Sequence, residues 1–338
     1  MRDAPETIAT LGSHSALQIL KGAHDEGFAT LAVCQPRDAH VYRRYSFVDE
    51  VIEIPGYQAF LTIEPLLVER KAIVIPHGTF VAYLSLDDHR SMRIPYFGNK
   101  SVLDWEADRG RQREWLLRAG LQLPHEFASP EVVDCPVLVK SFGAKGGKGY
   151  FVAKNAAELN RKLARMESER YVIQEYIIGA PTFLHYFYSP LSGKLELLGL
   201  DKRYETNVDS LGRIPSDKQE SIDIEASFEV VGNLPMSVRE SLLGEAQVMG
   251  ERVIAVSREI CPPQGLFGPF CLETLVTPGR QFFVMEISAR IVAGTNPYIV
   301  GSPYTSLLGS KRMSTGRRIA REIRRAIEED RLDEVLAA

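Results

Sequence analysis

Phe270 to Asn296 reads FCLETLVTPGRQFFVMEISARIVAGTN. Two apolar runs flank Thr277-Pro278-Gly279-Arg280, so the stretch is expected to form two antiparallel strands joined by a turn. Each run carries one glutamate among residues suited to a buried sheet. Side chains of equal parity share a face of a strand, and a turn about Pro278-Gly279 sets Glu273 opposite Val284. Glu286 then lies two positions along on the same face, a diagonal neighbour about 7–8 Å away at the backbone. Two carboxylates at that spacing repel unless a cation lies between them. Mg²⁺ is bound by oxygen ligands, commonly one or two carboxylates plus substrate phosphates. A metal and nucleotide site is therefore one expectation; a pair of glutamates on the solvated face of the hairpin is the other.

Outward from this hairpin the chain changes texture. Its first hundred residues alternate strand and helix: TIATLG, FATLAVC, DEVIEIP and KAIVIPHG read as strands, and SHSALQILKGAHDEG as a helix. Such alternation predicts a parallel sheet covered by helices, with ligands bound beyond the carboxyl ends of the strands. Gly12-Ser13-His14-Ser15 and His77-Gly78-Thr79 both follow apolar strands and are expected at that rim. A helical stretch runs from about Lys100 to Ala119 and ends near Gly120. Beyond it, CPVLVKSF, YFVAK and YVIQEYIIG read as strands, TFLHYFYSP and KLELLGLDKRYE as a hairpin about Ser192-Gly193, and SVRESLLGEAQVMGERVIAVSREI as a long helix. The last helix carries Arg317, Arg318, Arg321, Arg324 and Arg325, balanced by Glu322, Glu328 and Glu329, and is expected to show them to solvent.

Composition narrows the function classes. At 338 residues the chain can bury two or three cores. A net charge of −4 gives no basic face for nucleic acid, so none is expected as a partner. No apolar run approaches a membrane span, and MRDAPETIATLGS lacks the layout of a signal peptide; no membrane partner and a cytoplasmic location are expected. Cys34, Cys135, Cys261 and Cys271 are far apart and form no CxxC or zinc spacing, which predicts reduced, buried thiols.

GAKGGKG, Gly143 to Gly149, is glycine-rich but lacks the GK[ST] and following helix of a Walker A loop. Between two strands it suits a flap whose backbone amides approach phosphates while Lys145 and Lys148 supply charge; a plain surface hairpin is the alternative. Lys140 ends the apolar run Val137-Leu138-Val139, where an inward lysine is costly without an anion. Gln174-Glu175 sits mid-strand, where backbone and side chain can meet an adenine edge.

The order lysine strand, glycine flap, QEY hinge and Glu…Glu pair resembles the ATP-grasp ligases. Over essentially the whole chain the words IATLGSHSALQILKGA, PHGTFVAY, GAKGGKGYF, QEYIIG, VVGNLP, GPFCLET and EISARIVAGTN are similar to the archaeal, formate-dependent 5-formaminoimidazole-4-carboxamide ribonucleotide synthetases. The resemblance implies an α/β plus α+β architecture: a parallel-sheet domain over residues 1–124 preceding an ATP-grasp domain over residues 125–338, with a smaller lid lobe at about 130–180 and a C-terminal lobe at about 181–338. It also implies a ligase that formylates the 5-amino group of 5-aminoimidazole-4-carboxamide ribonucleotide (AICAR) with ATP and formate through formyl phosphate, in purine biosynthesis, and a homo-oligomer in the cytoplasm of archaea. Alternatives are a purine-nucleotide-binding paralogue without turnover and a carboxylate–amine ligase for another acid or amine.

Carried over by matching words, Glu273 and Glu286 would hold Mg²⁺ or Mn²⁺. Lys140, Gly146, Gly147, Gln174, Glu175 and Glu205 would contact ATP, and His14, Thr79 and Asn233 the ribonucleotide. Arg290 would meet formate or a phosphate oxygen. Two positions depart from the pattern: Ser288 stands where many ATP-grasp enzymes have asparagine, and Thr79 where serine is expected.

Overall fold

The computed structural model describes residues 6–141, 150–166, 171–205, 211–219, 230–308 and 312–337. The glycine-rich stretch with Gly146 and Gly147 lies outside them. Strands are numbered in chain order. β1 (Thr7–Leu11), β2 (Ala29–Cys34), β3 (Glu50–Glu53), β4 (Ala72–Val74) and β5 (Tyr96–Phe97) form a parallel sheet, and the last strand, β15 (Leu336–Ala337), closes its edge antiparallel beside β5. β1 is buried along its whole length, as a central strand with helices on both faces must be. FVAYLSLDDH, after β4, forms the short helices Gly78–Tyr83 and Leu86–Ser91.

Two antiparallel sheets follow. β6 (Glu126–Phe127), β7 (Val137–Ser141), β8 (Tyr150–Ala153) and β9 (Tyr171–Glu175) make a four-stranded sheet in the order β6-β9-β7-β8. β10 (Ala180–Ser189), β11 (Lys194–Glu205), β12 (Val230–Met236), β13 (Gly268–Val276) and β14 (Phe282–Ser288) make a five-stranded sheet in the order β12-β11-β10-β13-β14. The helix Glu240–Ile260 covers one face of the larger sheet, burying Leu242, Ala246, Met249, Val253 and Ile254, the three- and four-residue spacing of an apolar stripe. Tyr186 donates its hydroxyl to Ala246 O of that helix at 2.7 Å. The opposite face of the sheet is left for the site.

The helix Thr315–Glu328 knits the first and largest sheets together, which corrects the expectation of a solvated arginine face. It crosses the helix Ala16–Asp25 so closely that a Cβ on Gly316 would lie 2.2 Å from Gln18 O, and one on Gly22 2.2 Å from Arg317 N. Arg317 and Arg321 pair with the buried Glu26 at 2.6 and 2.7 Å. Arg318 sits between Glu196 at 2.9 Å and Glu322 at 2.7 Å, with its guanidinium over the Phe187 ring. Breaking a buried pair of this kind costs roughly 3–5 kcal/mol, because the surviving charge is left uncompensated.

One apolar core runs through both of these sheets, from Ile8 and Ile73 through Trp115 to Tyr186, Phe270 and Ile323. The four-stranded sheet has its own core around Val137, Val139, Leu159 and Ile173. Cys34, Cys261 and Cys271 are buried thiols, but Cys135 is partly exposed, at variance with the expectation for it.

Candidate active site

Glu273 and Glu286 do share a face, and more closely than the simple turn allows. Thr277–Gln281 forms a five-residue loop, with Thr277 N donating to Gln281 O and Arg280 N to Thr277 O, and with Arg280 at φ 63°. Pairing then runs Val276↔Phe282, Leu275↔Phe283 and Thr274↔Val284 before slipping by one residue, so that Glu273 faces Glu286 directly and Met285 is the extra residue. The expected register, Glu273 opposite Val284, is corrected on both counts. Directly opposed side chains lie about 4.5–5.5 Å apart at Cβ, so the carboxylates form one electrostatic unit.

Cations surround that unit. Arg203 of β11 bonds Glu273 and lies 4.0 Å above the Phe183 ring. Enclosure by the protein, then repulsion from Glu273, pushes the Glu286 carboxyl up to about 7, against the pull of Lys140, Arg109 and Arg203. Glu286 is nevertheless exposed to open water, and that water damps the effect of enclosure. Lys140 is held below the usual lysine range by burial, partly offset by Glu286 and Glu273.

Two cavities meet at Glu286. The larger, of about 800 Å³, lies between the rim of the parallel sheet and the face of the five-stranded sheet, and is lined by His14, Gly78, Arg203, Asn233, Glu273, Ser288 and Arg290 among others. The smaller, of about 70 Å³, lies against the four-stranded sheet and is lined by Lys140, Tyr150, Gln174 and Met285. Arg109, Gln112 and Glu286 border both. Strand parity and sheet order thus bring Glu273, Glu286, His14, Asn233 and Arg290 around one space, and Lys140 and Gln174 around the adjoining one.

Each remaining side chain has a defined setting. His14, at φ 53°, stacks on His77 with ring centroids 5.3 Å apart, and a Cβ on Gly78 would meet its Nε2 at 2.6 Å. Its enclosure, followed by His77, Arg290 and Arg203, holds the imidazole neutral, far below the usual histidine range, although the ring edge is exposed at the rim. His77 is fully buried; its Nε2 donates to Leu11 O, which leaves Nδ1 to accept from Thr79 N at 3.2 Å. Thr79 itself is buried and does not line the cavity. Gln174 Oε1 is buried without a hydrogen-bond partner, whereas Glu175 accepts from His125 N and Glu205 ends β11 outside both linings. Arg290 lines the cavity, and its buried Nε faces Glu106 Oε1 at 3.2 Å as an ion pair without the geometry of a hydrogen bond.

The sequence did not single out Arg109, Arg203 or the buried pair His185–Asp201. Arg109 opens the helix Arg109–Arg118 behind the cap Asp108, a position that invites no special notice. Arg203 and Asp201 share one parity within DKRYE, which was the available signal.

Two family models match: one described as a protein of unknown function, DUF1246, over residues 8–127, and one described as a domain of unknown function, DUF1297, over residues 151–337. A relative from Pyrococcus horikoshii, named 5-formaminoimidazole-4-carboxamide-1-(beta)-D-ribofuranosyl 5'-monophosphate synthetase, is 50% identical over 97% of this chain and 99% of its own. The crystal structure of an IMP biosynthesis protein, PurP, from Thermococcus kodakaraensis superposes with a TM-score of 0.79 at 31% identity, covering 98% of this chain and 100% of that one. The biotin carboxylase domain of a Hydrogenobacter thermophilus 2-oxoglutarate carboxylase, solved with MgADP, superposes with a TM-score of 0.67 at 16% identity over 94% of this chain and 69% of that one. The last likeness concerns the fold alone, which is the ATP-grasp fold behind a parallel-sheet domain.

Proposed function

The chain belongs to the 5-formaminoimidazole-4-carboxamide ribonucleotide synthetase family, and from that membership we propose that it is an ATP-dependent ligase formylating the 5-amino group of AICAR with formate in purine biosynthesis. The observation that carries this reading is the opposed pair Glu273–Glu286 at the junction of two cavities, one walled by the rim of the parallel sheet and the other by the lysine strand. Residues 1–124 then act as the ribonucleotide wall and residues 125–338 as the ATP-grasp domain, with the four-stranded sheet as its lid.

Mg²⁺, or Mn²⁺ in its place, fits the donors present. They are hard carboxylate oxygens whose mutual repulsion a cation relieves, and among the described residues no cluster of three or more His, Cys, Asp or Glu competes with them. A two-carboxylate set leaves positions for phosphate oxygens, the usual arrangement for Mg²⁺. Bound there, the ion neutralises charge on the transferring phosphoryl group.

ATP is assigned to the smaller cavity and the junction. Lys140 and Arg109 supply positive charge to its phosphates, and the unpartnered Gln174 Oε1 suits an exocyclic N–H of the base. Gly146, Gly147, Glu175 and Glu205 complete the ATP assignment by sequence. Formate is a resonance-stabilised anion that an amine does not attack at a useful rate. Its oxygen attacks the γ-phosphorus, the bond to the bridging oxygen of ADP breaks, and formyl phosphate forms. The 5-amino nitrogen then attacks the formyl carbon, phosphate leaves, and the nitrogen gives up a proton.

Arg290 holds formate in this scheme, and His14 and Asn233 serve the ribonucleotide; Thr79, buried away from the cavity, is not assigned to it. Enclosure first, and then its charged neighbours, leave His14 too weakly basic to take the proton, so its role is to hydrogen-bond the substrate. The test is ADP release with formate and Mg²⁺, with and without AICAR. Release dependent on both formate and AICAR is expected; release indifferent to AICAR would overturn the amine assignment.

A further inference from the structure

Under the floor of the larger cavity, His185 of β10, Asp201 of β11 and Asn233 of β12 form a hydrogen-bonded row across three adjacent strands. Asp201 Oδ1 accepts from His185 Nε2 at 2.7 Å, and Oδ2 from Asn233 Nδ2 at 2.8 Å. The His185 and Asp201 side chains are 2% and 1% exposed, whereas Asn233 lines the cavity. An ionised carboxylate only accepts, so Nε2 carries the histidine hydrogen. His185 Nδ1 is buried without a partner, which suits a lone pair and not a second N–H.

The roof over this pair is bare backbone. A Cβ on Gly294 would lie 2.2 Å from Asp201 Oδ1 and 2.8 Å from His185 Cε1, and Gly294 lines the cavity. Stability does not call for such a group, since well-packed apolar residues generally serve a core as well as a buried ionic one does. What the row does impose is an orientation. With its nitrogen turned to Asp201, the Asn233 amide is left with its carbonyl oxygen as the group offered to the cavity.

We propose that Asp201, steadied by His185, is a positioning residue that locks the Asn233 amide so that its oxygen accepts an exocyclic N–H of the ribonucleotide. This rests on the assignment of the larger cavity to that substrate. A freely turning amide offers a donor or an acceptor equally well. The locked amide favours an amine or carboxamide N–H and opposes a carboxylate in the same place, where oxygen would meet oxygen. Asp201 thereby acts on specificity from beneath the site without touching the ligand.

The test is a double-mutant cycle read by calorimetric binding of AICAR without ATP, alongside ATP affinity and melting temperature. Asn233→Ala and Asp201→Asn should each weaken AICAR about tenfold, the ordinary effect of one lost or misdirected hydrogen bond. Their double variant should be no weaker than Asn233→Ala alone, because Asp201 acts only through that amide. ATP affinity should hold, and His185→Gln, which keeps an N–H donor, should retain most of the AICAR affinity. If Asp201→Asn does not fold, Gly294→Ala displaces the same carboxylate and enters the cycle instead. Additive losses, or equal losses for AICAR and ATP, would overturn the positioning role while leaving the ribonucleotide assignment standing. Unchanged AICAR affinity in Asn233→Ala would remove the assignment and the proposal together.

Discussion

Glu286→Gln keeps the shape of the side chain and removes one charge of the opposed pair, so stability and activity should part company. Enclosure and Glu273 raise the Glu286 carboxyl from 4.5 to about 7 in the fold. With the folded value above the unfolded one, the native state binds this proton more tightly, and stability falls as pH rises from 4.5 towards 7. Below that window the carboxyl is protonated in both states and has no effect; above it the whole penalty is present. For complete burial a displacement of that size corresponds to roughly 3 kcal/mol. Cavity water reaches Glu286, and screening reduces the expected penalty to about 1–2 kcal/mol. In chelator at pH 8 the variant should therefore melt about 2 °C above the wild type, by the usual entropy of unfolding per residue. At pH 4 the two should melt together. Turnover should fall by about 100-fold or more, since the phosphoryl group loses several kcal/mol of charge neutralisation. Thermal melts in EDTA across pH 4–8, paired with ADP release at saturating Mg²⁺, read both effects. A variant that is no more stable at pH 8, or one that still turns over, would refute the account of the pair.

Three further outcomes follow from the geometry. Arg109→Met should raise the KM for ATP about 10- to 100-fold, the range of a charge-assisted contact, with AICAR affinity unchanged; a loss shared by both ligands would show that Arg109 holds the fold and not the phosphates. His14→Ala should weaken AICAR about 5- to 150-fold through an unsatisfied polar group. Because the enclosed wild-type imidazole stays neutral, any titration of AICAR affinity near pH 6.5 should come from the ligand's phosphate and persist in the variant; a titration there that the variant abolishes would contradict the enclosed setting assigned to His14. Gly316→Ala places a methyl 2.2 Å from Gln18 O and should lower stability by about 1–3 kcal/mol; an unchanged denaturation midpoint would mean that the two helices cross less closely.

The strands around both glutamates were legible because apolar runs and parity survive in sequence. Their register was not. It depends on Arg280 adopting positive φ to make a five-residue loop, and on one extra residue at Met285, two backbone events that leave no periodic trace. β5 and β15, of two residues each, are too short for any pattern to emerge. The last helix shows the same limit for charge. Its arginines alternate with glutamates as a solvated face does, yet Arg317 finds Glu26, 291 residues earlier in the chain, and Arg318 finds Glu196. Burial of a charge is decided by partners that only the fold supplies. Within the site, the shared face of Glu273 and Glu286 and the common rim of His14 and His77 were readable from parity and strand ends. The Asp201 row was not, because its meaning lies in hydrogen bonds between neighbouring strands.

The distribution of cores bears on how such a site can work. The parallel and five-stranded sheets share one core and are clasped by Arg317, Arg318 and Arg321, so the wall bearing His14 and the floor bearing Asn233, Glu273 and Glu286 belong to one body. Lys140 and Gln174 belong to a sheet with a separate core, joined across the junction by polar contacts such as Arg113–Glu126 at 3.2 Å. Relative motion is the default between bodies joined in this way. Positions that must be accurate before ATP arrives, the opposed carboxylates and the locked Asn233 amide, therefore sit on the fused platform. Groups assigned to act once phosphates are present, Lys140 and Gln174, sit on the other body. In the proposed scheme an acyl phosphate must be kept from water, and closure of the four-stranded sheet would supply that protection. Preorganisation on one side and closure on the other divide the work, and Glu286, bordering both cavities, is where the two sides meet.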